Sequence, residues 1–358
     1  MSDASPADRP TGTTDTASTG AGSSGVRRVA AVDCGTNSIR LLIADVAADG
    51  TTLTDVVRTM RVVRLGQGVD ATGRLADEAL ARTFAACREY AAQCREHDVE
   101  RIRFVATSAT RDAANRQDFV DGVRDILGVE PEVISGEEEA ALSFAGALSV
   151  LDPAQPLPAL VVDLGGGSTE FVLGDRDGVR ASLSTDVGCV RMTERHLTED
   201  PPTEAQIEAA TADVDAAIDA AAAVVPLEQT ATVIGVAGTI TTITAHALGL
   251  AEYDPEAIHG AELPIETLRA SADGLLHATR EQRAAMPFMH PGRVDVIGGG
   301  SLIWNRILER VAAVTASAGE PGSSTAAPVR TAVTSEHDIL DGIALSVPGS
   351  AFRSGDLR

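Results

Sequence analysis

Val32-Asp33-Cys34-Gly35-Thr36-Asn37-Ser38 and Val162-Asp163-Leu164-Gly165-Gly166-Gly167-Ser168 lie 130 positions apart and read as two copies of one motif. Each follows an apolar run and precedes another, Ile39 to Ala44 after the first and Phe171 to Leu173 after the second. The pattern predicts a strand, a tight glycine turn and a second strand, built twice. Two matched hairpins in one chain point to two related lobes that face each other.

Such a turn has a reason to bind phosphate. Glycine lets the backbone approach a ligand closely, and consecutive N–H groups form a concavity for anions. The candidate phosphate ligands are Gly35, Thr36, Asn37 and Ser38 in the first copy. In the second they are Gly165, Gly166, Gly167, Ser168 and Thr169, whose hydroxyls add donors. Asp33 and Asp163 end buried strands, where they can orient a divalent cation or its waters. A single copy would read equally well as an ordinary hairpin with an Asx turn; the duplication favours the phosphate site.

Strand and helix patterns alternate outward from the hairpins. A polar-apolar strand falls near Leu53 to Leu65 and a helix runs from Asp77 to His97. Ile102 to Thr107 is a short buried run, Asn115 to Leu127 has a helical period, and Pro131 to Ile134 is a strand that enters a helix at Ser135. The class is mixed α/β. The chain has 358 residues, 44% hydrophobic and 23% charged, which fits two packed domains and excludes a fibrous or wholly disordered protein. The break Asp152-Pro153-Ala154-Gln155-Pro156-Leu157-Pro158 sets the boundary near Val150. The expected division is a disordered tail over 1–25, lobe I over 26–150, lobe II over 151–348 and a short tail over 349–358. Ala316 to Pro328 reads as a surface loop before a last strand and helix around Arg330 to Leu345.

All 29 basic residues are Arg and none is Lys, which excludes Schiff-base chemistry and a lysine phosphate loop. The net charge of −23 makes the chain a poor binder of nucleic acid or an anionic membrane surface. Residues 26–130 hold 15 Arg against 16 acids, while residues 131–358 hold 13 against 33, so a polyanion should meet the first part. Thr230 to Ala251 is uncharged, but its six threonines favour a buried strand and helix over a membrane span. Cys34, Cys87, Cys94 and Cys189 show neither disulfide nor zinc spacing and read as reduced thiols in the cytoplasm. The N-terminus lacks the pattern of a signal peptide.

Two further segments bear chemistry. In Ser135-Gly136-Glu137-Glu138-Glu139-Ala140, Ser135 and Glu138 form the S-x-x-E signature of a helix start. Glu139, one position further round, either lies on a solvated helix face or projects toward a cleft as a general base. Thr107-Ser108-Ala109-Thr110-Arg111 follows a buried strand, and Arg111 reads as a fork for phosphate oxygens or as a surface Arg beside a cap.

The ordered set V-D-C-G-T-N-S-I-R-L-L-I, R-L-G-Q-G-V-D, A-T-S-A-T-R-D-A-A-N, I-S-G-E-E-E-A, V-D-L-G-G-G-S-T-E, V-G-C-V-R-M-T-E, V-A-G-T and P-G-R-V-D-V-I-G-G-G-S-L-I resembles the exopolyphosphatase and guanosine pentaphosphate phosphohydrolase (Ppx/GppA) family. The resemblance runs from about Val26 to Leu345 and is to the short form, without the helical C-terminal domains of longer members. It implies two ribonuclease-H-like lobes of the actin and sugar-kinase type, with the active site in the cleft between them. It implies Glu139 as catalytic base, Asp163 and Glu170 as metal and phosphate-orienting carboxylates, and Arg111 as a phosphate ligand. Asp33 would bind metal through water or orient its turn, and Arg191 is a further candidate. The implied reaction is Mg²⁺-dependent (or other divalent cation-dependent) hydrolysis of the terminal phosphoanhydride of inorganic polyphosphate. The same site would suit guanosine pentaphosphate, a non-catalytic sensor would bind without cleaving, and a homodimer is implied. The acidic second half favours short chains over processive degradation of long ones.

Overall fold

The computed structural model describes residues 26–47, 52–318 and 328–347. Both expected tails and most of the loop expected over Ala316 to Pro328 lie outside them. Among the described residues, eleven strands form two sheets. The first contains β1 (Arg27–Cys34), β2 (Ser38–Val46), β3 (Leu53–Val62), β4 (Arg101–Ala106) and β5 (Glu132–Val133), in the order β3-β2-β1-β4-β5. The first three are antiparallel neighbours, and β4 and β5 extend the sheet in parallel from β1. The second contains β6 (Ala159–Leu164), β7 (Thr169–Asp175), β8 (Gly178–Thr185), β9 (Thr232–Val236), β10 (Glu262–Pro264) and β11 (Thr331–Thr334). Its order, β8-β7-β6-β9-β11-β10, repeats the first sheet and adds an antiparallel edge strand. Two ribonuclease-H-like sheets facing one cleft are the actin and sugar-kinase type of fold.

The central strands are apolar on both faces because both faces are covered. In β1, Ala30, Val32 and Cys34 pack into the core under the helices Asp77–Glu96 and Arg116–Leu127, while Val29 and Ala31 point to the opposite side. In β6, Leu160, Val162 and Leu164 enter the main core of the second lobe, and Ala159 and Val161 meet the helix Gly136–Ala147. The uncharged stretch Thr230 to Ala251 supplies β9 and the helix Ala237–Leu248. Among the described residues no helix is long and apolar enough to cross a membrane.

Two helices lie across the expected division at residue 150, since Gly136–Ala147 packs on the second sheet and a later helix packs on the first. The helix Ile339–Leu345 comes from the expected second lobe, yet Ile339, Leu340, Ile343 and Ala344 pack on Val29, Ala31, Leu42 and Val105 of the first sheet. The break at Asp152 to Pro158 marks a local change of pattern, whereas this helix is placed by long-range burial. It crosses the helix Gly136–Ala147 at Gly146 and Gly342, where an added Cβ would collide with the backbone of Asp338 and Leu142. Ala316 also differs from expectation, since the helix Ile297–Ala318 still includes it.

Candidate active site

Each glycine turn closes in the same way. The Gly35 N–H donates to the Ser38 carbonyl at 3.0 Å, and the Gly165 N–H donates to the Ser168 carbonyl at 3.0 Å. Among the described residues, the amides of Thr36, Asn37, Gly166 and Gly167 have no backbone acceptor, so they are free to meet an anion. The turns touch across the cleft: a Cβ on Gly166 would lie 3.3 Å from the Asn37 nitrogen, and one on Gly167 would lie 2.6 Å from the Thr36 Oγ1. Only glycine allows this approach. Between them lies a cavity of about 120 Å³, also lined by Asp33, Arg40, Ser108, Glu139, Asp163 and Arg293.

The acidic wall comes from two elements. Ser135 caps the helix Gly136–Ala147 by accepting from the Glu138 N–H at 3.2 Å, and the next residue, Glu139, turns into the cavity. Arg111 Nη1 donates to Glu139 Oε2 at 3.1 Å and to the Ile134 carbonyl at 3.0 Å. Asp163, at the end of β6, accepts from Ser143 Oγ at 2.6 Å. Burial raises the Glu139 carboxyl to about 7, against the pull of Arg111 and with the help of the Asp163 charge. Burial and the Asp338 charge bring Asp163 to about 7 as well. Glu170 lies behind them, 1% exposed, accepting from Ser184 Oγ at 2.7 Å, and is raised by burial and by Glu139 and Asp163.

Like-charged, desolvated carboxyls of this kind are stabilised by a cation. Among the described residues no three His, Cys, Asp or Glu side chains are grouped to hold a metal by themselves. Glu139 and Asp163 on one cavity fit a cation such as Mg²⁺, which keeps several waters and binds through one or two carboxylates plus substrate phosphates.

Residues 42–317 match the Ppx/GppA phosphatase family. The chain belongs to this family. It is 50% identical over 329 residues to Exopolyphosphatase 2 of Mycobacterium tuberculosis, covering 90% of this chain and 99% of that protein. The crystal structure of an exopolyphosphatase-like protein, 50% identical, superposes with a TM-score of 0.83 over 89% of this chain and 98% of that one. A Ppx/GppA enzyme of Aquifex aeolicus, 29% identical, gives 0.72 over 90% of this chain and all of that one.

Within this Ppx/GppA phosphatase, the expected residues divide into those that meet at the cavity and those that do not. Gly35 to Ser38, Gly165 to Ser168, Asp33, Glu139 and Asp163 all line it. Thr169 does not: its hydroxyl donates to the Val187 carbonyl at 2.6 Å and is buried on the other face of β7, as strand alternation requires. Arg111 faces Glu139 and lies outside the cavity lining, so its observed contact is with a carboxylate. Asp33 is already paired, since Arg40 donates to its Oδ2 from Nε at 2.9 Å and from Nη2 at 2.7 Å. Arg191 donates from Nε to the Gly167 carbonyl at 2.8 Å and pairs with Asp70 at 2.7 Å and Asp112 at 2.6 Å, tying the lobes together.

Arg40, Ser108, Ser143 and Arg293 are among the cavity and wall residues that the sequence reading does not single out. Arg40 was within reach of the sequence, because a hairpin closed at Gly35 to Asn37 places residue 40 opposite Asp33. Ser108 and Ser143 had no distinguishing local signal. Arg293 arrives from a distant loop, donates to Thr242 Oγ1 at 3.0 Å and stands 5.6 Å from the Tyr253 ring centre.

Proposed function

We propose that this phosphatase hydrolyses the terminal phosphoanhydride of inorganic polyphosphate in the cytoplasm, releasing orthophosphate, with Mg²⁺ or another divalent cation. The observation that supports this most is the juxtaposition of two anion-binding turns with one buried, hydrogen-bonded carboxyl, Glu139, poised near neutrality. The similarity to an exopolyphosphatase over nearly the whole chain agrees with it.

In this mechanism the free amides of Thr36, Asn37, Gly166 and Gly167 hold the oxygens of the end phosphoryl group. Glu139 accepts a proton from the water that attacks phosphorus in line with the leaving phosphate, and Arg111 keeps its carboxylate aimed. A base near pH 7 is matched to that task at physiological pH. Asp163 would hold the cation, with Asp33 and Glu170 reached through water, and a bound cation would offset the charge of the phosphate oxygens. Most of the rate then comes from positioning and electrostatics.

One observation favours a second substrate. A neighbouring cavity of about 210 Å³ shares Arg40, Met60 and Arg293 with the site and adds Tyr253, room enough for more than a phosphate chain. Guanosine pentaphosphate, losing its 5′-terminal phosphate, would use it. Phosphate release with Mg²⁺ from short polyphosphate, long polyphosphate, guanosine pentaphosphate and ATP in parallel tests both readings. Release from polyphosphate that Glu139→Gln abolishes supports the first. Release from none of them, with polyphosphate still bound, would leave a sensor.

A further inference from the structure

Thr36, Ser108 and Gly167 line both the cavity and a smaller one beside it, and so form a wall between the two. The Ser108 hydroxyl stands between the two turns, in contact with the position a Cβ would take on Gly167. Ser108 is 2% exposed, yet its Oγ has no hydrogen-bond partner. A buried hydroxyl left unsatisfied is costly, and such an atom in a native structure needs an explanation. The Asn37 amide oxygen, also lining the cavity, is likewise buried and unpartnered. The wall is held from behind, because Arg191 fixes the Gly167 carbonyl while its other nitrogens pair with Asp70 and Asp112 of the first lobe.

We infer that Ser108 donates a hydrogen bond to the end phosphoryl group, and that the wall it forms is the stop against which a chain end seats. This rests on the polyphosphate reading for the identity of the substrate, but the contact itself needs only a phosphoryl group. Thr110 supplies a built-in control. It lies two residues on in the same short helix, is fully buried, and has an unpartnered hydroxyl, but it does not line the cavity. Removing either hydroxyl relieves an unsatisfied group, so neither change should lower stability. Only one should weaken phosphate.

The test is calorimetric titration of the full chain with inorganic phosphate in Mg²⁺, alongside phosphate release from polyphosphate. Ser108→Ala should weaken orthophosphate binding about tenfold, as loss of a hydrogen bond to a charged group predicts. Thr110→Val, which removes the hydroxyl and keeps the shape, should stay within about twofold. Ser108→Cys, which keeps the volume but is a weak donor, should lose affinity like the alanine variant and serves if that variant does not fold. Wild-type affinity in Ser108→Ala or Ser108→Cys, or an equal loss in Thr110→Val, would overturn the inference. Should the wild type bind orthophosphate through Ser108 and yet release nothing from polyphosphate, the substrate assignment fails and the contact stands.

Discussion

The two hairpins share one backbone plan and differ at one decisive cross-strand position. In the first, the residue opposite Asp33 is Arg40; in the second, the residue opposite Asp163 is Glu170. These partners are themselves 130 positions apart, so the repeat extends to them and the charge is reversed. Arg40 donates to Asp33 and also pairs with Asp338, so the first copy brings its own cation. The second copy faces carboxyl with carboxyl and has no such cation opposite it: burial raises both groups, and the Asp163 charge raises Glu170 further. One backbone plan thus carries an ion pair in one copy and a carboxyl pair in the other, by the sign of one side chain.

The comparison can be broken at several points. Glu139→Gln should reduce kcat by about 10²–10⁴-fold, the usual worth of a general base, with an unchanged circular dichroism spectrum. An unaltered rate of phosphate release would remove Glu139 from the mechanism. In the first copy, Arg40→Met strands Asp33 and Asp338 without their cation. It should cost about 3–5 kcal/mol in denaturant unfolding, as breaking a buried ion pair does.

The pH dependence sharpens the contrast. Glu139 and Asp163 have folded-state values raised to about 7, above their unfolded values. The folded chain therefore binds more protons than the unfolded one between about pH 4 and 7, and stability should fall as pH rises through that window. In the absence of divalent cation, Asp163→Asn should unfold at a higher temperature than the wild type at pH 8 and show little advantage at pH 4. Mg²⁺ should stabilise the wild type more at pH 8 than at pH 5. The smallest effect expected is from Arg111→Met: losing that charge pushes the Glu139 carboxyl further up, and the rising limb of the pH–rate profile should move to higher pH.

Much of this was legible in the sequence, and the failures have physical causes. The repeat could be read because turn glycines and flanking apolar runs are local signals, and Ser135 could be read as a cap for the same reason. The Thr169 hydroxyl turns to the Val187 carbonyl because the two-residue period puts Ser168 and Glu170 on one face and Thr169 on the other. Arg111 was seen as a free fork because its partner, Glu139, is 28 residues away and meets it only through the fold. Arg293 and the return of Ile339–Leu345 to the first sheet depend on packing between distant segments, which no local pattern records.

The crossing at Gly146 and Gly342 has a consequence for tuning the enzyme. Glu139 stands on the first turn of a rigid rod whose other end bears backbone against backbone on a second rod, with no side chain between them to yield. The bearing runs from Leu142 to Gly146, three to seven residues beyond Glu139, within about two turns. In the proposed mechanism a single methyl group added there should tilt the rod and shift the Glu139 carboxylate, so the aim of the proton acceptor would be set by residues outside the cavity lining.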